Sequence, residues 1–264
     1  MIVDGKALAA LEFAALKNEI THVRQTPHLT VITAAPSFAT QKYVALKQEQ
    51  ARAVGVAVDV IELPTAVTTA DIVTVIARIA MQTDGIIVQL PLPLQIDVAV
   101  VLAARPASLD VDGMQYTKTG TGFFPPVVAA IAEIAARHDV LLAGQHVVIV
   151  GHGRLVGQPA AVWARNQGAR VTVITEHTPN QQTILQSADV IISGAGVPGL
   201  ITPSNVREGV ALFDAGTSEV GGELRGDVDP ACAVKASLFT PVPGGIGPMT
   251  VAALLHNVVV AAFE

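Results

Sequence analysis

Two residues on one predicted helix open the chemical reading of this chain. Tyr43 and Lys47, in Tyr43-Val-Ala-Leu-Lys47, stand four residues apart, which puts a phenol and an amine on one helical face. Such a lysine is either a solvated surface residue with a packing tyrosine beside it, or a desolvated amine that moves protons near neutrality. The second reading needs a partner, and Gln89 and Asp112 are the candidates. Gln89 ends the apolar run that starts at Gly85, ahead of Pro91 and Pro93, which fix the chain as it leaves a sheet. Its amide either caps the backbone or reaches the amine. Asp110 and Asp112, in the run DVDG that ends at Gly113, either close a turn or offer one carboxylate to the paired N–H donors of a heterocycle. Too few oxygen ligands lie nearby to favour a metal, and none is expected.

A second constellation occupies residues 146–159, HVVIVGHGRLVGQP. A continuous apolar run ends at Gly151, Gly153 and Gly157 follow, and the residues from Leu155 to Ala164 suit a helix. Glycines at a strand-to-helix turn let backbone approach a pyrophosphate, whose charge meets the free N–H groups and positive dipole end of the helix. The spacing is one residue longer than the commonest dinucleotide fingerprint, so the alternative is a tight turn without a ligand. Glu176 stands at the end of the next predicted strand, Arg170–Thr175. An acid there hydrogen-bonds ribose hydroxyls and repels a 2′-phosphate, which favours NAD over NADP; its other reading is a solvated loop glutamate.

The elements that must hold these residues follow from composition and pattern. With 264 residues, 51% of them hydrophobic and 14% charged, the chain has material for two ordinary domains with well-buried cores. Strands such as GIIVQL and DVIISGAG lack alternation, as parallel strands covered on both faces do. Helical spacing over residues 4–25, Phe38–Val54 and residues 69–82 alternates with strands from Leu29, at VAVDVIEL and at Gly85–Gln89, so the class is α/β with Gln89 at a strand carboxyl end. Residues 106–126 form the longest stretch without periodicity and read as a functional loop. A helix at Pro126–His138 then leads into the glycine-turn unit, with strands at 170–175, 189–193, 210–214 and 237–240, and a domain boundary near Pro125 and Pro126.

Net charge is −6 and the 16 basic residues form no run, so neither nucleic acid nor a membrane is an expected partner. Polar residues and prolines interrupt the longest apolar runs, His256 and Asn257 the last of them, and no membrane span is expected. A single cysteine, Cys232, and an N-terminus without an export signal fit a cytoplasmic protein.

The stretch Thr240–Thr250, TPVPGGIGPMT, holds three prolines and three glycines before an apolar helix, too much restriction for a plain connector. With YVALK, GIIVQLPLP, DVDG, GHGRLVGQP, ADVIISGAGVP and GDVD, it follows the order and approximate spacing of the bifunctional methylenetetrahydrofolate dehydrogenase/cyclohydrolase family, which the chain resembles over nearly its whole length. The resemblance implies a folate-binding catalytic domain at 1–125 plus 245–264, a Rossmann-type NAD(P)-binding domain at 126–244, an active-site cleft between them, and a homodimer formed through the cofactor domain. It implies tetrahydrofolate one-carbon derivatives as substrates, NADP as cofactor, and a place in one-carbon metabolism and purine biosynthesis. Lys47 matches the family's catalytic lysine, Gln89 the glutamine that tunes it, Tyr43 the tyrosine near the folate and Asp112 the pterin-binding aspartate. Pro243, Gly244 and Gly245 match the segment against folate and nicotinamide, and Thr217 lies in the stretch DAGTS that replaces the family's DVGIN.

The chain departs from the family where the cofactor's 2′-phosphate would bind. G-R-S is replaced by Gly151, His152 and Gly153, and H-S-x-T by Thr175, Glu176, His177 and Thr178. The lost arginine and the gained carboxylate both favour NAD, with Arg154 able to compensate in part. The P-C-T-P element is reduced to Phe124, Pro125 and Pro126, and the lysine before DVDG is Leu109. The alternatives are a dehydrogenase with little cyclohydrolase activity and a non-catalytic folate- or nucleotide-binding protein.

Overall fold

Helix and strand alternate from the start: α1 (Gly5–Thr21), β1 (His28–Ala34), α2 (Phe38–Val54), β2 (Ala57–Leu63), α3 (Thr69–Ile79) and β3 (Gly85–Val88), then the short helices α4 (Val98–Ala103) and α5 (Tyr116–Thr119). The computed structural model describes residues 1–22 and 25–263, so positions 23 and 24 of the helical stretch expected over 4–25 lie outside the described residues. Local chemistry sets the boundaries. Ser37 caps α2 by accepting from the Thr40 N–H, and Gly55 ends it in the left-handed region at φ 98°, where a side chain would be strained. A reciprocal Thr68–Asp71 capping box starts α3.

The chain divides into two compact units, Leu11–Pro125 with Val251–Glu264, and Met1–Ala10 with Pro126–Thr250. In the first, β1 lies between β2 and β3, all parallel, and Ile32 pairs with Val88. β3 is buried throughout, as its unbroken apolar sequence requires. Residues 106–126, expected to be a loop, contain a 3-10 turn at Ala107–Leu109 and helix α5, held by the buried Val111 and Tyr116 and by the hydrogen bonds of Asp110 and Gln115.

The second unit contains α6 (Pro126–Arg137), β4 (His146–Val150), α7 (Gly157–Asn166), β5 (Arg170–Ile174), α8 (Gln181–Gln186), β6 (Val190–Ser193), β7 (Ala211–Asp214), the hairpin β8 (Ser218–Val220) and β9 (Glu223–Arg225), β10 (Leu238–Thr240), and the start of α9 (Ile246–Phe263). Its five-stranded parallel sheet has the order β10-β7-β6-β4-β5. Neither α8 nor the exposed hairpin carries enough apolar periodicity to be expected from sequence.

The compact units differ from the expected domain bounds in two places. Met1–Ala10 belongs with the five-stranded unit, because Ile2 bridges Phe239, the Val3 N–H donates to Phe239 O at 2.9 Å and the Gly5 N–H to Gly244 O at 2.9 Å. Residues 245–250 lie in the same unit, and the last helix starts at Ile246, so IGPMT is its first turns rather than connector. Helix α9 is long and apolar enough to cross a membrane by length and composition alone. Here its Val251, Leu254, Leu255, Val258 and Val259 are buried with Leu16, Leu29, Val44 and Val54 in the core of the three-stranded unit.

Candidate active site

Lys47 is buried because α2 puts it on an apolar stripe. Val44, Ala51 and Val54 at helical spacing pack into the core, and Lys47 falls among them, 5% exposed. Its Nζ donates to Gln89 Oε1 at 3.0 Å and lies 4.5 Å from the centre of the Tyr43 ring. Register brings Gln89 there: the Gln89 N–H donates to Ile32 O at 2.8 Å, just past the end of β3. The Gln89 Nε2 donates to Leu90 O at 3.0 Å, so the other end of the amide, its oxygen, faces the lysine. The cap and the amine partner are thus one residue.

Burial holds the Lys47 pKa below its usual 10.5, against an opposing pull from the Asp112 carboxylate. Desolvation, and secondarily Asp112, pushes the Tyr43 phenol up to about 12, so it stays protonated near neutrality although the residue is 40% exposed. Asp112 therefore belongs to the electrostatic environment of both groups.

The two carboxylates of DVDG do different things. Asp110 is structural: its Oδ1 lies 2.8 Å from Arg105 Nη2 in a buried ion pair, and its Oδ2 accepts from the Gln115 N–H at 2.7 Å. Arg105 in turn donates from Nη1 to Ile86 O at 3.1 Å. Asp112 is half-buried. Gly113 makes the bend at φ 64°, and a Cβ there would lie 2.5 Å from Pro125 N. Asn257 completes the support, donating from Nδ2 to Val111 O at 2.8 Å and Phe124 O at 2.9 Å. Sequence reasoning missed Arg105 and Asn257. For Asn257 the available signal was a polar side chain inside an apolar helix, which must find partners when buried; Arg105, just past the end of α4, carried no such signal.

The glycine turn in the five-stranded unit is shaped for close backbone approach. Gly151 has φ 86°, a Cβ on Gly157 would lie 2.1 Å from Gly151 O, and Gly153 has open space around its missing side chain. Helix α7 begins at Gly157, two residues later than the expected Leu155, after Val156, which offers no side-chain cap to its first turn. His152, Gly153 and Arg154 are exposed, as a ligand-facing loop must be. The residues present fit a dinucleotide's phosphates. Glu176 is exposed two residues beyond β5, its carboxylate 3.5 Å from His177 Nε2.

Thr217 is exposed in the turn after β7. Pro243 is exposed and Gly244 half-buried at φ 102°, whereas Gly245 is buried, where a Cβ would lie 2.6 Å from Pro241 O. Gly245 therefore shapes the turn from beneath. Gly5, unnoticed in the sequence, packs so closely on this turn that a Cβ would meet Gly245 O. Asp214 and Asp227, both 1% exposed, are the other residues that sequence reasoning passed over; GDVD was visible only as a pattern.

Comparison with known proteins matches residues 3–112 to the catalytic domain of tetrahydrofolate dehydrogenase/cyclohydrolase and residues 125–264 to the NAD(P)-binding domain of the same family. The bifunctional protein FolD of Exiguobacterium sibiricum is 36% identical over 274 aligned residues, covering 99% of this chain and 99% of the relative. The crystal structure of the bifunctional FolD of Campylobacter jejuni superposes with a TM-score of 0.96 at 33% identity, over 100% of this chain and 98% of that one. The Trypanosoma brucei enzyme, solved with NADP and an inhibitor, gives 0.90 at 31% identity over 99% and 96%.

Proposed function

The chain belongs to the tetrahydrofolate dehydrogenase/cyclohydrolase family, and we propose that Lys47, oriented by Gln89, handles the protons of its hydrolytic step. The protein is a bifunctional enzyme of one-carbon metabolism. It oxidises 5,10-methylenetetrahydrofolate to the 5,10-methenyl form with NAD(P) and hydrolyses that product to 10-formyltetrahydrofolate.

The single observation that carries the reading is the buried amine donating to Gln89 Oε1. The methenyl product is a cation, and a charged lysine beside it would repel it. Burial favours the neutral amine, which accepts a proton from the attacking water as the C–O bond forms. The ammonium then returns that proton to the departing ring nitrogen as the C–N bond breaks, while the hydroxyl of the water adduct loses its remaining proton to solvent as the formyl C=O forms. Tyr43, protonated and partly exposed, supplies a ring surface for the flat folate, and Asp112 accepts paired N–H donors of the pterin. Pro243 and Gly244 form a rigid turn with Gly245 behind them.

The bound dinucleotide supplies the hydride acceptor. Gly151, Gly153 and Gly157 open the turn to its phosphates, with His152, Arg154 and Thr217 exposed around it. Glu176 at the second strand's end favours NAD over NADP by repelling a 2′-phosphate. A homodimer would form through the five-stranded unit, where the hairpin leaves Val220 and Leu224 exposed. The test is to supply 5,10-methylenetetrahydrofolate with NAD or NADP and follow reduced dinucleotide: turnover that prefers NAD supports the reading, and preference for NADP removes the role of Glu176.

A further inference from the structure

The loop after β6 forms a wall against the glycine turn. A Cβ on Gly151 would lie 3.0 Å from Ala195 Cα and from Gly194 O, and one on Gly194 would lie 2.6 Å from Val156. The Gly194 N–H donates to Val150 O at 2.9 Å. The wall itself, Gly194-Ala195-Gly196-Val197, has little side chain with which to anchor its shape.

One buried carboxylate does the anchoring. Asp227 accepts from Ser193 Oγ at 2.6 Å, from the Ala195 N–H at 2.7 Å and from the Val197 N–H at 2.8 Å. Three donors from five consecutive residues converge on one group. Asp214 fixes the backbone of Asp227 in turn, accepting from the N–H groups of Gly216 at 3.0 Å, Asp227 at 3.2 Å and Val228 at 2.9 Å. Glycine is required on both sides: a Cβ on Gly216 would lie 2.1 Å from Asp227 Cγ, and one on Gly226 2.1 Å from Asp214 Oδ2. Two buried carboxylates held this close carry desolvation and mutual repulsion that a simple turn avoids. What the arrangement gains is a wall whose backbone shape is fixed before a ligand arrives.

We propose that Asp227 is a positioning residue of the cofactor site, holding Ser193–Val197 against the glycine turn so that the dinucleotide meets a preformed backbone surface. The inference rests on the reading of Gly151–Gly157 as the dinucleotide turn, and its test separates the two. NAD and NADP binding to the full chain are measured by calorimetry, with dinucleotide KM, hydrolysis of supplied methenyltetrahydrofolate, and amide exchange at Ala195 and Val197. Asp227→Asn keeps the size but turns one acceptor into a donor. The expected result is at least a tenfold rise in dinucleotide Kd and KM, a smaller fall in kcat, and faster exchange at both amides, while hydrolysis stays within twofold. Unchanged Kd and KM with faster exchange would overturn the proposal, leaving Asp227 a purely structural residue. If that variant does not fold, Ser193→Ala decides: a rise of about threefold in Kd supports the proposal, and none overturns it. Gly153→Val tests the underlying reading, since the protein has room for that side chain and a bound phosphate would not. Normal binding by this variant removes the turn assignment; lost binding here with normal binding in Asp227→Asn removes only the role of Asp227.

Discussion

Lys47 and Gln89, 42 positions apart in the chain, meet in a 3.0 Å hydrogen bond at the carboxyl end of β3. The bond ties a helix residue forced into an apolar stripe to a strand-end amide whose other end is held by Leu90 O. The amine is buried, oriented and biased toward its neutral form.

The pH dependence of hydrolysis follows. The rate should rise through a single ionisation lying below 10.5, the one that frees the Lys47 amine. Gln89→Glu places a carboxylate on that amine, so the rising limb moves to higher pH and the rate at pH 7 falls by roughly tenfold or more, one pKa unit being a factor of ten. An unmoved limb would show that Gln89 does not tune the lysine. Stability has the same sign: between the lowered folded pKa and 10.5 the unfolded chain holds a proton that the native state lacks, so stability rises with pH through that window.

Asp214 works in the opposite direction. Burial, together with the neighbouring Asp227 and against three N–H donors, pushes its carboxyl from 3.8 to about 6. Between those values the native state holds the extra proton. Its contribution to stability is therefore complete below 3.8 and is lost as pH rises through about 6, roughly 3 kcal/mol in all. Urea unfolding of wild type and Asp214→Asn at pH 4 and pH 7 checks this: the wild type should lose ground relative to the variant on going to pH 7. A gap between them independent of pH would contradict it.

Asn257→Ala removes both donors that tie α9 to Val111 and Phe124. With the buried Val111 carbonyl and the partly buried Phe124 carbonyl losing this donor, the fold should lose about 1–3 kcal/mol, and the loop bearing Asp112 should loosen. Folate KM should rise while dinucleotide KM stays constant; a rise in both would mean that the effect is not confined to the Asp112 loop.

How much of this was legible depends on the range of each interaction. The Tyr43–Lys47 pair obeys the helix repeat and Gln89 sits at a strand end, so both are readable from neighbouring residues. The stripe Val44, Lys47, Ala51 and Val54 also carried the burial of the lysine, had it been read as one face. Asp110 and Asp112 are equivalent in sequence, and only the Arg105 ion pair assigns one to structure. Asn257 meets Val111 across 146 positions, and Asp227 meets Ser193 across 34, so no local pattern records either contact. Gly5 is an ordinary helix-start glycine until the turn at Gly244 and Gly245 closes over it.

Cofactor choice is testable at two positions. Glu176→Ser with His152→Arg removes a carboxylate and adds a guanidinium beside the ribose end of the turn. The ratio of kcat/KM for NADP over NAD should rise by about tenfold or more, equivalent to about 1.4 kcal/mol of differential binding. A constant ratio would mean that the 2′-position binds elsewhere.

The most direct measurement is the product made by Lys47→Met, which keeps the length and packing of the stem while removing the amine. Supplied with 5,10-methylenetetrahydrofolate and dinucleotide, the variant should still form reduced cofactor and accumulate methenyltetrahydrofolate, with catalysed hydrolysis about 10²–10⁴-fold slower than in the wild type. Equal loss of both steps, or hydrolysis at the wild-type rate, would contradict the role assigned to Lys47.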